Sequence, residues 1–258
     1  MDGLVELNLV DLGWALGMMG ICLLLSRWSN LALEGQLLLA TGRSILQLLV
    51  VGYVIAVIFS LDNPLAVLGI LAVMMTIATI VAKNRIDSRD KALLPLVFGS
   101  LLISSCLTLG YAIALIIQPQ QWYSPQYLIP LTGMVLGNAM NSASLAGERL
   151  NSAIKSHRLE IETHLCLGAT PQQAIAGYQK EAIRASLIPT LNQMMVVGLV
   201  SLPGMFTGQV LAGSEPLNAA SYQILILFMI ALANLITAQL VTEGIYRRFF
   251  SENLSLIS

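Results

Sequence analysis

Apolar runs of membrane-crossing length follow one another along this chain with little between them, and that restricts the fold more than any motif does. A helical pass needs about 20 mostly apolar residues, and backbone placed in hydrocarbon has to satisfy its own hydrogen bonds. Seven such runs are read at 8–26, 38–60, 65–82, 93–117, 126–147, 188–212 and 221–243. The connectors are polar or carry proline, as in Leu61-Asp62-Asn63-Pro64, the 118–125 segment and Gly213-Ser214-Glu215-Pro216, which suits turns. The expected fold is all-α: a polytopic membrane protein with about seven transmembrane helices, residues 1–258 forming a single transmembrane domain. Composition agrees, with 10% charged residues and mean hydropathy +0.78, where a soluble domain carries about 25% charge.

The 13 basic residues set an orientation. They lie at the first connector (Arg27, Arg43), the third (Lys83, Arg85, Arg89, Lys91), the long 148–188 stretch and the tail (Arg247, Arg248). The N-terminal segment and the second, fourth and sixth connectors have none; the charged residues there are acids such as Asp2, Glu6, Asp62 and Glu215. Basic residues stay on the cytoplasmic side, so the expectation is an external N-terminus and a cytoplasmic C-terminus. Trp122, Tyr123 and Tyr127 then fall at the outer interface, where aromatic belts form. The acidic start lacks the positive region of a cleavable signal peptide, so it is expected to be retained. Arg43 is the one charge well inside an apolar run, which marks a functional-site candidate; the reading preferred is that it sits close enough to the inner boundary for its side chain to reach the cytoplasm.

One long stretch, about 148–188, is too polar for a bilayer and forms a large cytoplasmic helical loop between the fifth and sixth passes. Leu150, Ile154, Ile161 and Leu165 keep to one helical face, with Lys155, Arg158, Glu160 and Glu162 elsewhere around it. Gly168 suits the left-handed end of a helix, and Thr170-Pro171-Gln172-Gln173 reads as a capping box with proline at the first helical position. A second helix is therefore expected from Pro171 towards Pro189, giving a capped corner between rigid helices over 148–167 and 171–187. Such a protrusion suits docking of a soluble partner.

Polarity inside two passes marks candidate functional residues. In the fifth, Gly133 and Gly137 permit close helix approach, and Asn138, Asn141, Ser142 and Ser144 avoid lipid only if the helix is buried. In the sixth, Pro189, Asn192, Gln193 and the run Ser201-Leu202-Pro203-Gly204-Met205 interrupt a regular helix, with Pro203 and Gly204 as the kink. Two readings stand: the freed carbonyls line a polar pathway, or they belong to a packing kink. Met134, Met140, Met194, Met195 and Met205 lie in these passes as apolar filling or as soft-metal ligands. Cys22, Cys106 and Cys166 form no metal or disulfide pattern, and His157 and His164, seven apart, are read as solvated.

Several functions are excluded. No GxxxxGK[ST] loop occurs, so this chain does not hydrolyse ATP by that route. The last pass has no lysine for a retinal Schiff base, and no paired carboxylates or Ser/His arrangement face the membrane. An Asp/Glu/His relay for self-contained proton coupling is also lacking.

The run Glu162 to Thr170, with its apolar helix to follow, resembles the EAA-type coupling loop of ATP-binding-cassette permeases. The segments Gly133 to Asn141, Leu167 to Pro171, Ile183 to Thr190 and Val197 to Met205, with Tyr222-Gln223-Ile224, resemble the FetB-type permeases over nearly the whole chain. That family includes bacterial iron exporters and plant half-transporters linked to aluminium tolerance. The resemblance implies a permease subunit of the plasma (inner) membrane, a dimer of permeases in lipid, without enzymatic activity of its own. It implies a separate cytoplasmic ATPase partner that binds ATP and magnesium, with no cofactor in this chain and no nucleic acid. Glu162, Leu167, Gly168, Ala169, Thr170, Pro171 and Gln173 would form the ATPase-coupling loop. Asn138, Asn141, Asn192 and Met205 are candidates to line a pathway at the dimer centre, and no metal ligands are assigned. Iron export is the leading expectation. A permease for another metal or a small metabolite, and a membrane scaffold or sensor that recruits a cytoplasmic protein, stand as alternatives.

Overall fold

A computed structural model describes residues 8–61 and 63–250; Asp2, Glu6, Asp62 and the retained N-terminus expected above lie wholly or partly outside them. The chain divides into two compact units, meeting between Asn63 and Pro64.

The first unit is a hairpin of α1 (Leu9–Trp28) and α2 (Glu34–Leu61). At the start of α1, the Asn8 backbone N–H donates to Asp11 Oδ2 at 2.9 Å, and an acid in the first turn suits the positive end of the helix dipole. The turn reverses through Asn30 and Ala32, both at positive φ (52° and 53°), and Ser26 Oγ donates to Glu34 Oε1 at 3.1 Å across it. Both helices are apolar around most of their surface and mostly exposed, which for such a composition means a lipid or protein environment. Arg43 is exposed in the third turn of α2.

The second unit contains α3 (Pro64–Ile86), α4 (Leu93–Tyr111) prolonged by a π-helical stretch (Ala112–Ile117), α5 (Pro125–Ser156), α6 (Arg158–Cys166), α7 (Pro171–Val196), α8 (Gly204–Leu211) and α9 (Pro216–Phe249). Its centre is the pair α5 and α9, against which α3, α4 and α7 pack. The core joins Val97 and Leu101 of α4, Val135, Ala139, Ala143 and Leu150 of α5, and Ala233 and Val241 of α9, each at most 1% exposed. Two glycines set the helix spacing. A Cβ at Gly147 would lie 2.6 Å from Ile86 Cδ1, and one at Gly244 would lie 1.9 Å from Leu96 Cδ1.

One end of this unit is tied by charge. Asp87 pairs with Lys155 at 3.2 Å, and Asp90 pairs with Arg248 at 2.9 Å. Lys83, 6% exposed, donates to the Ser88 carbonyl at 2.6 Å. The third connector, the end of α5 and the end of α9 therefore share one end, and the basic residues read as cytoplasmic in these three places lie together. The Asp87 carboxyl is held below its ordinary value, first by the Arg89 backbone N–H at 3.0 Å and then by the Lys155 ammonium.

Among the described residues, five helical segments are long and apolar enough to cross a membrane: Val10–Trp28, Glu34–Phe59, Pro64–Ile86, Leu93–Ile117 and Pro216–Phe249. The expected passes at 126–147 and 188–212 do not meet that criterion, each for its own reason. The first lies within α5, a continuous helix whose many polar and small residues lower its hydropathy, and it is largely buried by its neighbours. The second is not one helix: α7 continues through Pro189 to Val196, the chain turns over 197–203, and α8 is only eight residues long. Two further expectations are corrected. The 148–167 helix is divided, because α5 runs to Ser156 and His157 (φ −110°, ψ 26°) breaks the geometry before α6. Pro189 neither ends α7 nor begins a new element; on either side of it, Ser186 meets Ser142 of α5 and Thr190 accepts from Asn234 of α9.

Candidate functional site

The corner between α6 and α7 is built from local sequence chemistry. Gly168 takes φ +92°, the left-handed geometry that a Cβ disfavours. This lets the Ala169 N–H reach the His164 carbonyl and the Gly168 N–H reach the Leu165 carbonyl, both at 3.0 Å, in a Schellman arrangement that satisfies the last carbonyls of α6. Thr170 opens α7. Its Oγ1 accepts from the Gln173 N–H at 3.3 Å, and the Thr170 N–H donates to Gln173 Oε1 at 2.9 Å, with Pro171 next in the first turn. Beneath the corner, Ile161 and Ile175 are fully buried, each contributing about 1.5–3 kcal/mol relative to exposure.

Above that core the corner projects its residues. Leu167 is 80% exposed; Gly168, Thr170 and Gln173 are also exposed, Ala169 is half-buried and Pro171 is buried. Glu162 pairs with Arg158 one turn earlier at 2.8 Å, an i,i+4 pair that stiffens α6. An exposed leucine on a rigid, doubly capped turn is suited to enter a complementary groove. Behind it, the Tyr178 ring lies 4.9 Å from the His157 ring. Burial holds the Tyr178 hydroxyl above its ordinary value, and Glu160 and Glu181 add to the effect.

Among the described residues, no hydrogen bond joins the proposed pathway residues to one another. Asn138 is half-buried, and its amide donates to the Met134 carbonyl of its own helix at 2.8 Å. Asn141 is exposed and receives Arg85 Nη1 at 3.4 Å; Asn192 is exposed on α7, and Met205 is half-buried in α8. Asn138 and Asn141 share with Gly133 and Gly137 an incompletely covered stripe of α5. The kink is present, but earlier than Pro203: Val197 is extended, Gly198 takes φ +81° and donates to the Ser201 carbonyl at 2.9 Å, and Pro203 and Gly204 begin α8. Its tip, Leu199 and Val200, is 88% and 84% exposed.

Sequence reasoning missed the polar junction that does form. Ser142 Oγ of α5 donates to the Asn234 carbonyl of α9 at 3.0 Å and lies 3.4 Å from Ser186 Oγ of α7. Asn234 Nδ2 donates to Thr190 Oγ1 at 2.7 Å. Close by in α9, Thr237 Oγ1 donates to Ser104 Oγ of α4 at 2.7 Å, and towards the charged end Gln179 Nε2 of α7 donates to Thr242 Oγ1 at 3.4 Å. All but Gln179 are buried. The available signal was the recurrence of Gln223, Asn234 and Thr237 on one face of an otherwise apolar helix.

Among the described residues, no group of three or more His, Cys, Asp or Glu side chains is placed to hold a metal ion. Cys22, Cys106 and Cys166 are separate and exposed, as are His157 and His164.

Comparison with known proteins adds an independent line. The profile of a family described as "Uncharacterised protein family (UPF0014)" matches residues 9–250. The chain is 63% identical over 254 residues to the UPF0014 membrane protein slr1647 of Synechocystis, covering 98% of each chain. It is 36% identical over 248 residues to the "Probable iron export permease protein FetB" of Escherichia coli, covering 96% of this chain and 94% of the other. To the "Protein ALUMINUM SENSITIVE 3" of Arabidopsis thaliana it is 34% identical over 238 residues, covering 92% and 85%. No solved structure matches.

Proposed function

The chain belongs to the UPF0014 family of multi-pass membrane proteins, and from that premise we propose that it is the permease subunit of an ATP-binding-cassette transporter that exports iron. The observation that carries the reading is the corner at Leu167 to Thr170: capped on both sides, exposed at Leu167, and continuous through α7 with the buried interior. The similarity to a probable iron export permease supports the cargo and the direction.

In this reading the chain crosses the plasma membrane seven times, with its N-terminus outside and its C-terminus in the cytoplasm. The five apolar helices make five passes, α5 makes another, and α7 with the 197–203 turn and α8 makes the broken one. A break at membrane depth is tolerated where it lies in protein or lines a cavity. The energy comes from a cytoplasmic ATPase chain that binds ATP and magnesium, because this chain has no phosphate-binding loop. The Leu167 corner seats in a groove of that ATPase, and closure of two ATPases around nucleotide draws two corners together. α7 passes the displacement to α5 and α9, against which it packs. Two permeases meet across the α5 stripe of Gly133, Gly137, Asn138 and Asn141, which opens a pathway reaching Asn192 and Met205.

The test uses inside-out vesicles containing the chain and its ATPase, and follows ATP-dependent accumulation of labelled iron. Wild-type accumulation that Gly168→Pro abolishes, with loss of ATPase co-purification, is the expected result. No accumulation by wild type with a bound, active ATPase would overturn iron as the cargo. Unchanged coupling in Gly168→Pro would overturn the docking corner.

A further inference from the structure

The junction around Asn234 is unusual in what it leaves unsatisfied. Asn234 is 3% exposed, and while its Nδ2 bonds Thr190, its Oδ1 has no partner. On α4, which packs against α9, Ser105 Oγ and Thr108 Oγ1 are also buried without partners, at 2% and 1% exposure. Leaving a buried polar atom without a hydrogen bond is costly, so such groups persist where water or a ligand serves them. Eleven residues earlier, about three turns along the same face of α9, Gln223 repeats the pattern. It is 8% exposed, its Oε1 is unpartnered, and it lines a cavity of about 320 Å³ with Gly198, Leu202, Pro203 and Phe206.

Two amides, each with an unpartnered oxygen, thus lie buried on one face of α9: Asn234 at the junction of three helices and Gln223 at a largely apolar cavity beside the broken 197–206 segment. We propose that the Asn234 junction, with Ser142, Ser186, Thr190 and Thr108, is a hydrated binding point on the transport route that takes a cation still carrying its water or ligand shell. The proposal rests on the transporter reading above and names the site and the chemical form of its cargo. The donor set decides that form. Hydroxyl and amide groups are neutral hydrogen-bonding partners for a coordinated shell, whereas stripping an iron ion calls for imidazole, thiolate or carboxylate ligands, and no cluster of these exists among the described residues. The bonds that tie Ser142, Ser186, Thr190 and Asn234 together also join α5, α7 and α9 at this point, so filling the junction bears directly on the helix that begins at the corner.

The experiment measures access and does not depend on transport. With Cys22, Cys106 and Cys166 replaced by serine, single cysteines at Thr108, Thr190 and Asn234 are compared with cysteines at Val97 of α4 and Val241 of α9, apolar positions at 0% exposure. Open membrane fragments are treated with a small cationic methanethiosulfonate reagent, and a variant retaining only the exposed Cys166 gives the upper limit. The junction positions are expected to react at least tenfold faster than the valine positions and to be protected severalfold by ferrous citrate, a chelated iron probe. Reaction at the valine rate at all three positions overturns the hydrated site while leaving the permease reading to the vesicle assay. Fast reaction without protection by ferrous citrate overturns the cargo form. Thr190→Cys and Thr108→Cys nearly conserve side-chain volume, so the result stands even if Asn234→Cys fails to fold.

Discussion

Gly244→Ala tests whether the contact between α4 and α9 is set by the absence of a side chain. A Cβ at 244 would lie 1.9 Å from Leu96 Cδ1, 2.7 Å from Cδ2 and 2.8 Å from Cγ, so the branched end of Leu96, both methyls and the carbon that bears them, has to move. Overpacking of this kind costs about 1–3 kcal/mol. Replacing a mid-helix glycine with alanine returns about 1 kcal/mol through helix propensity. The net expectation is destabilisation by about 1 kcal/mol, the difference of those two terms. Gly99, on α4 itself, has nothing within 4 Å of its Cβ position, so Gly99→Ala is expected to stabilise by about 0.5–1 kcal/mol. The clash is relieved if Leu96 is truncated, because Leu96→Ala removes the three atoms nearest the new Cβ. The double variant Leu96→Ala/Gly244→Ala is therefore expected to be more stable than the sum of the single changes by about 1–3 kcal/mol. Equilibrium unfolding by dodecyl sulfate titration in mixed micelles, read by circular dichroism, measures all four proteins. A Gly244→Ala protein more stable than wild type, or additivity in the double variant, would refute the close approach.

The other predictions concern the corner, the core and the charged end. Thr170→Ala removes the side-chain cap of α7 and is expected to cost about 1 kcal/mol, seen as faster amide exchange confined to residues near 171–175; unchanged exchange there would show that the cap is idle. Gly147→Ala places a Cβ 2.6 Å from Ile86 Cδ1 and 3.2 Å from Ile245 Cδ1, and because both isoleucines are buried it is expected to lower the unfolding midpoint, whereas Gly137→Ala, in open space, is not. Asn234→Leu removes the amide that bonds Thr190, so it is expected to raise amide exchange around 186–190 while secondary structure is retained. Asp87 gives a pH dependence. Its folded pKa is depressed, so its stabilisation is full above the ordinary aspartate value of about 3.9 and is lost as pH falls through the lower folded value. The acid unfolding curve of Asp87→Asn should accordingly lack that loss below about pH 4; identical acid limbs in the two proteins would remove the assignment.

How much of this was legible in the residues depended on the range of the interaction. The corner was read correctly because its parts are local: Gly168 follows the last turn of α6 and Gln173 is three residues from Thr170, so chain connectivity alone brings each donor to its acceptor. Of the expected apolar stripe, Leu150 and Ile154 on α5 and Ile161 on α6 are buried and Leu165 is half-buried, although the break at His157 divides the stripe between two helices. Helix boundaries were less legible. Pro189 looked like a border, yet α7 passes through it, while Gly198 makes the break.

The sequence by itself determined the class of the protein, an all-α chain for membrane, because hydropathy summed over about 20 residues is insensitive to what the helices meet. It also determined the clustering of basic residues and the capped corner. Only the tertiary structure decided which polar side chains share an interior. Ser142, Ser186 and Asn234 are separated by 44 and 48 residues and make contact through three helices, whereas the candidate asparagines Asn138 and Asn141, neighbours on α5, bond the Met134 carbonyl and Arg85. A hydroxyl in an apolar helix has the same local signature whether it bonds its own backbone or a neighbouring helix; the azimuth and depth of the neighbour, set here by glycines at 147 and 244 that allow close approach, settle which.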